Sequence, residues 1–97
     1  MKPENLGIKI RELREANTIL LRQIAAYLEV DTALISKIER GDRYATKEQV
    51  IKIADFFSVD RDQLIILWLV DKVEIALGED GCFVPNVLNI IKNKTNK

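Results

Sequence analysis

Apolar residues recur at intervals of three and four along most of the chain, which is the pattern of amphipathic α-helices, and no segment alternates as a β-strand does. The sequence therefore predicts an all-α protein. The predicted helices cover residues 6–16, 21–28 and 32–39, a segment that opens at Thr46 and includes Phe57, a segment from Asp60 to Leu77, and a short last helix that starts at Pro85.

Short polar motifs mark the ends of these helices. Asn5 and Asp31 suit the N-caps of the first and third helices, because a short polar side chain there can accept a hydrogen bond from a free backbone N–H. Gly41 suits the left-handed residue that closes the third helix. The segments Thr46 to Gln49 and Asp60 to Gln63 have the spacing of capping boxes and open the fourth and fifth helices.

The third predicted helix has two different faces. Leu34, Ile35 and Ile38 fall on one face, which we expect to point into the core. The opposite face is small or positively charged and consists of Thr32, Ala33, Ser36, Lys37 and Arg40. Two short helices with a three-residue break between them, the second keeping one face free, form the arrangement of a helix-turn-helix, whose second helix lies in the major groove of DNA. Small side chains allow close approach to base edges, and lysine or arginine can donate to guanine or to phosphates.

Composition changes this picture only a little. The 97 residues have the size of one domain, and with 15 basic and 15 acidic residues the formal charge is zero, so there is no strongly basic field. DNA binding requires only a local cluster of cations, because the affinity from counterion release depends on the phosphates contacted. The sequence has no histidine, no glycine-rich phosphate loop and no cysteine cluster, so we expect neither an enzyme nor a cofactor or metal site.

Targeting signals are also missing from the sequence. The longest apolar run, from Leu64 to Val70, is far shorter than the roughly 20 residues of a membrane-spanning helix. The first residues lack the apolar segment of a signal peptide, and the single cysteine, Cys82, cannot form an internal disulfide. We expect a cytoplasmic protein in which Cys82 is a small buried or loop thiol.

Four strings of the sequence carry a family resemblance. They are LGIKIRELR at residues 6–14, IAAYL at 24–28, ISKIERG at 35–41 and IADFFSV at 53–59. Through them residues 6–64 resemble the Cro/repressor-type, or XRE-like, helix-turn-helix family, and the third string is its most specific element. The resemblance implies a compact five-helix, lambda-repressor-like domain that binds operator DNA as a dimer.

The resemblance also implies roles for individual residues. The base-reading candidates are Thr32, Ala33, Ser36 and Lys37. The candidates for holding phosphates, at the end of the recognition helix and in the loop that follows, are Arg40, Arg43, Tyr44 and Lys47. Arg14 and Glu39 resemble the family's structural ion pair between the first and third helices, which orients the recognition helix without touching bases.

The sequence departs from the family pattern at two places. Leu20 and Leu21 stand where many members have a Ser-Gln or Asn-Gln pair that holds a phosphate, so Arg22 either replaces that contact or points to solvent. Glu29 stands where many members have glycine, which argues against the usual left-handed conformation of the turn, because residues other than glycine are uncommon there.

The segment from Leu64 to Val70 is apolar on every side of a helix, and one domain core can cover only part of that surface. We expect a second subunit to cover the rest through a two-fold symmetric interface formed by Leu64, Leu67, Trp68, Val70 and Leu77, together with Val73 and Ala76. Such a homodimer would place two recognition helices roughly 34 Å apart and predict a palindromic operator. The chain then divides into a DNA-binding domain (1–64), a helical dimerisation extension (65–92) and a frayed tail (93–97).

Several other interpretations of the same pattern remain open. The two short helices could be an ordinary hairpin in a helical bundle, and the neutral charge fits a protein-interaction module. Within DNA binding, the leading role is a transcriptional regulator of repressor or controller type. The runner-up is the antitoxin of a toxin-antitoxin pair, which would bind a toxin partner through its C-terminal region. Trp68, inside an apolar run, fits the core or an interface better than a platform for stacking bases.

Overall fold

A computed structural model describes residues 3–95, which form helices and turns and contain no strand. The elements are α1 (Glu4–Ala16), α2 (Leu21–Leu28), α3 (Thr32–Glu39), α4 (Lys47–Phe57), α5 (Arg61–Leu77), a 3₁₀ turn (Gly81–Phe83) and α6 (Val84–Thr95). The predicted all-α class is confirmed. The tail expected to fray from residue 93 is still helical up to Thr95, while residues 1, 2, 96 and 97 lie outside the described range. None of the described helices combines the length and apolar composition that crossing a lipid bilayer requires.

The core lies where α1 to α5 meet. α1 packs against α3 and α5, α2 packs against α3 and α4, and α4 packs along α5. The buried apolar side chains are Leu6, Ile10, Ile24, Ala25, Leu28, Ile35, Ile38, Ala45, Val50, Ile53, Ala54 and Leu64. Full burial of a leucine or isoleucine side chain stabilises a fold by about 2 kcal/mol, so this cluster holds α2 and α3 in a fixed arrangement.

Of the N-caps predicted for α3, α4 and α5, only the box at Thr46 forms as predicted. The Thr46 hydroxyl accepts from the backbone N–H of Gln49 at 3.1 Å, and the Gln49 side chain accepts from the backbone N–H of Thr46 at 2.9 Å, so this capping box is complete. Asp60 caps α5 through the N–H of Asp62 instead of a box with Gln63. Asp31 has the extended backbone of an N-cap but its side chain makes no capping hydrogen bond.

The start of α1 differs from the prediction. The helix begins at Glu4 with Pro3 as its N-cap residue, and Asn5 lies inside the first turn. Its free backbone N–H groups are satisfied from α5: the N–H of Asn5 donates to Asp71 at 2.9 Å and that of Leu6 at 3.1 Å. Asp71 is only 1% exposed and also accepts from the Asn5 side chain. A buried carboxylate 66 residues along the chain therefore caps α1 and complements the positive end of its dipole.

α6 has little contact with the five-helix core. It packs mainly against the 3₁₀ turn that precedes it, and none of its residues is buried. The radius of gyration is 14.8 Å, compared with about 12.5 Å for a compact chain of this length. The last helix therefore extends away from the core, and its apolar side chains Leu88, Ile90 and Ile91 are exposed.

Candidate nucleic-acid interface

The turn between α2 and α3 adopts the left-handed conformation without a glycine. Glu29 has φ 59° and ψ 44°, so the expectation that this residue would exclude the left-handed turn is wrong. Two backbone hydrogen bonds close the turn, from the N–H of Glu29 to Ala26 at 3.2 Å and from that of Val30 to Ala25 at 3.0 Å. These bonds offset the steric cost of a side chain at positive φ, which is about 1 kcal/mol.

The two faces of α3 separate as the sequence predicts. Ile35 and Ile38 are buried, and Leu34 is half-buried against the same core. On the outer face Ser36 is half-buried, and the exposed side chains are Thr32, Ala33, Lys37 and Arg40. The face proposed to read bases thus stands clear of the folded body of the subunit.

α1 holds α3 from behind through an ion pair. Arg14 Nε donates to Glu39 Oε2 at 2.8 Å and Arg14 Nη2 to Oε1 at 3.1 Å, which is the pair expected from the family resemblance. The two side chains are 18% and 6% exposed, and the hydrogen bonds to Glu39 raise the pKa of Arg14 above its ordinary value. The pair fixes the end of the recognition helix against α1.

Gly7 allows α1 and α3 to approach each other closely. A Cβ atom at this position would lie 2.5 Å from the carbonyl oxygens of both Ile38 and Glu39. Any side chain would therefore push α1 away from the recognition helix. Sequence reasoning missed this role, although a glycine inside a helix is itself a signal of close packing.

Removing Glu39 should destabilise the subunit. Glu39→Ala leaves the half-buried guanidinium of Arg14 without its carboxylate, so we expect the free energy of unfolding to fall by about 2–3 kcal/mol. Urea denaturation followed by circular dichroism measures the loss, and Glu12→Ala on the exposed side of α1 serves as the control. Equal midpoints for the two variants would contradict a structural role for the pair.

Exposed polar and cationic side chains lie on the elements that precede and follow α3 in the chain. Arg22 lies in the first turn of α2, Arg43 and Tyr44 lie in the loop after α3, and Lys47 begins α4. Within residues 3–95, no carboxylate forms a salt bridge with any of these cations or with Lys37. These cations are therefore exposed in the same part of the chain as α3, together with the exposed carboxylates of Glu29, Asp31 and Glu48.

Trp68 supports the loop that carries Arg43 and Tyr44. Its indole Nε1 donates to the carbonyl oxygen of Ala45 at 2.8 Å, and the ring is half-buried against the core. Lys72 lies over the ring, with Nζ 3.9 Å from its centroid. Trp68 therefore belongs to the core and supports the candidate interface from within the subunit.

The residues expected at the dimer interface fall into two groups. Leu64 is 0% exposed inside the subunit core, and Leu67 and Trp68 pack against that core, so Leu64 cannot contact a partner. Val70 and Leu77 instead line a groove of about 420 Å³ between α5 and α6. The other residues that line it are Ile66, Leu69, Val73, Glu74, Val84 and Leu88. Sequence reasoning missed Ile66 and Leu69, because a run that is apolar on every side does not tell which side faces inward.

The expectations for Cys82 and for a metal site can be compared with the described residues. Cys82 is exposed in the 3₁₀ turn. Of the two expected alternatives, a buried thiol or a loop thiol, it is therefore the loop thiol. Among residues 3–95, no cluster of cysteine, aspartate or glutamate side chains could hold a metal ion.

A two-faced helix, braced from behind by α1 and bordered by exposed cations, defines the helix-turn-helix class of DNA-binding domain. The chain belongs to the family described as Helix-turn-helix, of the Cro/repressor type, whose model matches residues 10–64. It is similar to an uncharacterized HTH-type transcriptional regulator, RghRB, of Bacillus subtilis (strain 168), with 44% identity over 46 residues. That match covers 47% of this chain and 33% of the relative, so it spans about a third of the relative's length.

Two solved structures share the fold. One is the clp gene regulator ClgR from Corynebacterium glutamicum, with a TM-score of 0.62 and 23% identity, covering 84% of this chain and 87% of that one. The other is an addiction module antidote protein of a HigA family from Coxiella burnetii, with a TM-score of 0.66 and 24% identity, covering 89% of this chain and 95% of that one. Both similarities cover more of the chain than the segment that the family model matches.

Proposed function

We propose that the protein is a cytoplasmic, sequence-specific transcriptional regulator that binds a palindromic operator as a homodimer, with α3 in the major groove. The observation that carries the proposal is the outer face of α3, which is solvent-exposed and small or cationic while the opposite face is buried in the core. A helix can approach base edges only if such a face is free. The family to which the chain belongs supports DNA as the partner.

In this proposal, four residues of α3 contact the bases. Thr32 and Ala33 lie in its first turn, which is the part of a recognition helix that enters the groove most deeply, and their small side chains permit close approach. Ser36 offers a hydroxyl that can both donate and accept, and the Lys37 ammonium can donate to the acceptors of guanine. Together they supply the hydrogen-bonding groups and the methyl contacts that sequence discrimination requires.

The flanking residues hold the phosphate backbone and set the register of α3. Arg43, Tyr44 and Lys47 lie after the recognition helix, and Arg22 lies before it at the start of α2. Phosphate contacts from both sides would fix the orientation of α3 in the groove, and the cations would release counterions in proportion to the phosphates that they neutralise. This local arrangement supports binding by a chain of zero net charge.

The homodimer is supported by the outer side of α5. Ile66, Val70, Val73 and Leu77 recur at intervals of four, three and four, which forms a continuous apolar stripe along the helix. Ile66 is 59% exposed, and Leu88 of α6, across the groove, is 46% exposed. A second copy packed by two-fold symmetry would cover both helices at once and would double the number of phosphate contacts.

Selection of bound sequences from a random DNA library tests the whole proposal. We expect enrichment of one site with two inverted half-sites whose centres lie about one helical turn apart. Light scattering should give twice the mass of one chain, both free and on DNA with the DNA mass subtracted. The absence of any enriched sequence would overturn the proposed function, and a single half-site bound by one subunit would overturn the dimer.

Lys37 should contribute to affinity without affecting the fold. We expect Lys37→Ala to weaken binding to the selected site by about tenfold, because one donor to a base is lost. Lys52→Ala, on the exposed surface of α4 and outside the α5/α6 groove, is the matched control. Electrophoretic mobility shifts measure both variants, and unchanged affinity for Lys37→Ala would remove that residue from the base-reading set.

The second candidate is an antidote of an addiction module, a role that the fold shared with the HigA-family protein accommodates. An antidote would use the same DNA-reading face and would bind a toxin through its C-terminal region. The gene beside the one for this chain separates the two roles, because a neighbouring toxin gene would favour the antidote. Co-purification of the two products would then measure the interaction.

A further inference from the structure

Arg40 occupies a defined position on the outer face of α3. It is the C-cap residue, and its side chain runs back along the helix so that Nη1 donates to the hydroxyl oxygen of Ser36 at 3.1 Å. Its Nε donates to Asp42 Oδ2, also at 3.1 Å. The guanidinium therefore lies beside Ser36, one of the four base-reading residues.

Asp42 is itself fixed relative to α3 by the backbone. Gly41 has φ 76°, and its N–H donates to Ile38 at 3.1 Å, while the N–H of Asp42 donates back to Lys37 at 2.8 Å. These two bonds form a Schellman turn, which ties the residue after the glycine to the last turn of the helix. The backbone that carries the Asp42 carboxylate is therefore held in a fixed position relative to α3.

The pair between Arg40 and Asp42 constrains the geometry of Arg40 more than it stabilises the fold. The Arg40 and Asp42 side chains are 55% and 39% exposed, and ion pairs so open to solvent stabilise a fold very little. The hydrogen bond from Nε to the Asp42 carboxylate nevertheless favours one orientation of the Arg40 guanidinium.

We infer that Arg40 reads a guanine in each half-site and that Asp42 is the residue that positions it; the inference rests on the proposed DNA-binding function. Of the five N–H donors of a guanidinium, Asp42 takes the one on Nε and Ser36 takes one on Nη1. The donors that remain lie on Nη1 and Nη2, and this pair matches the O6 and N7 acceptors of guanine. The family resemblance assigns Arg40 to phosphates, whereas the donors that its two hydrogen bonds leave unused suit the two acceptors of a guanine.

Library selection with four proteins tests the inference: the unmodified chain, Arg40→Ala, Arg40→Lys and Asp42→Ala. We expect the unmodified chain to prefer guanine at one position of each half-site, and Arg40→Ala to lose about tenfold of that preference. Arg40→Lys keeps the charge but not the two-pronged donor pair, so it should lose the preference as well. Asp42→Ala should weaken the preference for guanine at the same position, while its affinity for unrelated DNA stays equal or rises.

A chemical probe and a salt titration separate base reading from phosphate binding. Replacing the guanine by 7-deazaguanine, which lacks the N7 acceptor, should weaken binding of the unmodified chain and leave Arg40→Ala unaffected. The inference is overturned if Arg40→Ala weakens all sequences equally with a shallower salt dependence, if Arg40→Lys restores full binding, or if Asp42→Ala leaves the guanine preference unchanged. If the unmodified chain enriches no sequence at all, the proposed function itself fails.

Discussion

Replacing Leu69 by lysine should convert the protein to a monomer and lower its affinity for a full palindromic site by at least 100-fold. Leu69 is 47% exposed on the groove side of α5, so the substitution leaves the core of the subunit intact. In the proposed dimer the new charge would lie in an apolar interface, where an unpaired ammonium is strongly unfavourable. Loss of the second subunit removes the gain in affinity that two linked half-sites provide, which amounts to about 100-fold or more.

Light scattering and mobility shifts on full and half-sites measure this effect. Ile8→Lys is the matched control, because Ile8 is 53% exposed on α1 and introduces the same charge outside the groove. We expect Ile8→Lys to remain dimeric, and Leu69→Lys to bind a single half-site as the unmodified chain does. If Leu69→Lys has the mass of a dimer in light scattering and binds the full site as a dimer, the α5/α6 groove is not the interface.

Asp71→Ala should lower the free energy of unfolding by about 4 kcal/mol. The substitution leaves the buried N–H of Leu6 and the N–H of Asn5 without an acceptor, at a cost of about 1–3 kcal/mol for each buried group, and removes a negative charge from the positive end of α1. This loss is a large part of the 5–15 kcal/mol that is typical of a domain.

Urea denaturation at one fixed protein concentration measures the loss, because the stability of a dimer depends on concentration. Glu79→Ala, an exposed carboxylate just beyond α5, should change the free energy of unfolding by no more than about 0.5 kcal/mol. Asn5→Ala removes the side-chain donor to Asp71 and Glu74 but keeps the backbone N–H groups bound to Asp71, so its effect should fall between the two. An Asp71→Ala variant as stable as Glu79→Ala would show that α1 is capped in another way.

Features that depend on neighbouring residues could be predicted from the sequence. The bounds of α2 and α3 follow from periodicity over one or two turns, and the capping box at Thr46 follows from a spacing of three residues. The outer face of α3 follows from the same periodicity, because the residues between the buried isoleucines must point away from the core. These features place the candidate interface on the fold.

Features that depend on distant residues could not be predicted. Asn5 has the side chain of an N-cap, yet the groups that it was expected to satisfy are bound by Asp71, and no local pattern connects the two positions. The carboxylates of Asp71 and Glu74 interrupt the apolar positions of the fifth helix, and they are the available signal of a buried polar contact. The rotation of α5 about its axis could not be predicted either, because Leu64 and Ile66 are both strongly apolar. Only the packing of α1 and α4 places Leu64 inside and Ile66 outside.

α1 contacts both α5 and α3: Asp71 of α5 holds its first turn, while Gly7 and Arg14 fix it against α3. In the proposed dimer, the crossing of the two α5 helices would therefore determine how far apart the two half-sites lie on the duplex. The bases preferred within each half-site depend on a separate set of side chains. Half-site spacing and base preference can accordingly diverge independently among related regulators, through substitutions that never meet in the structure.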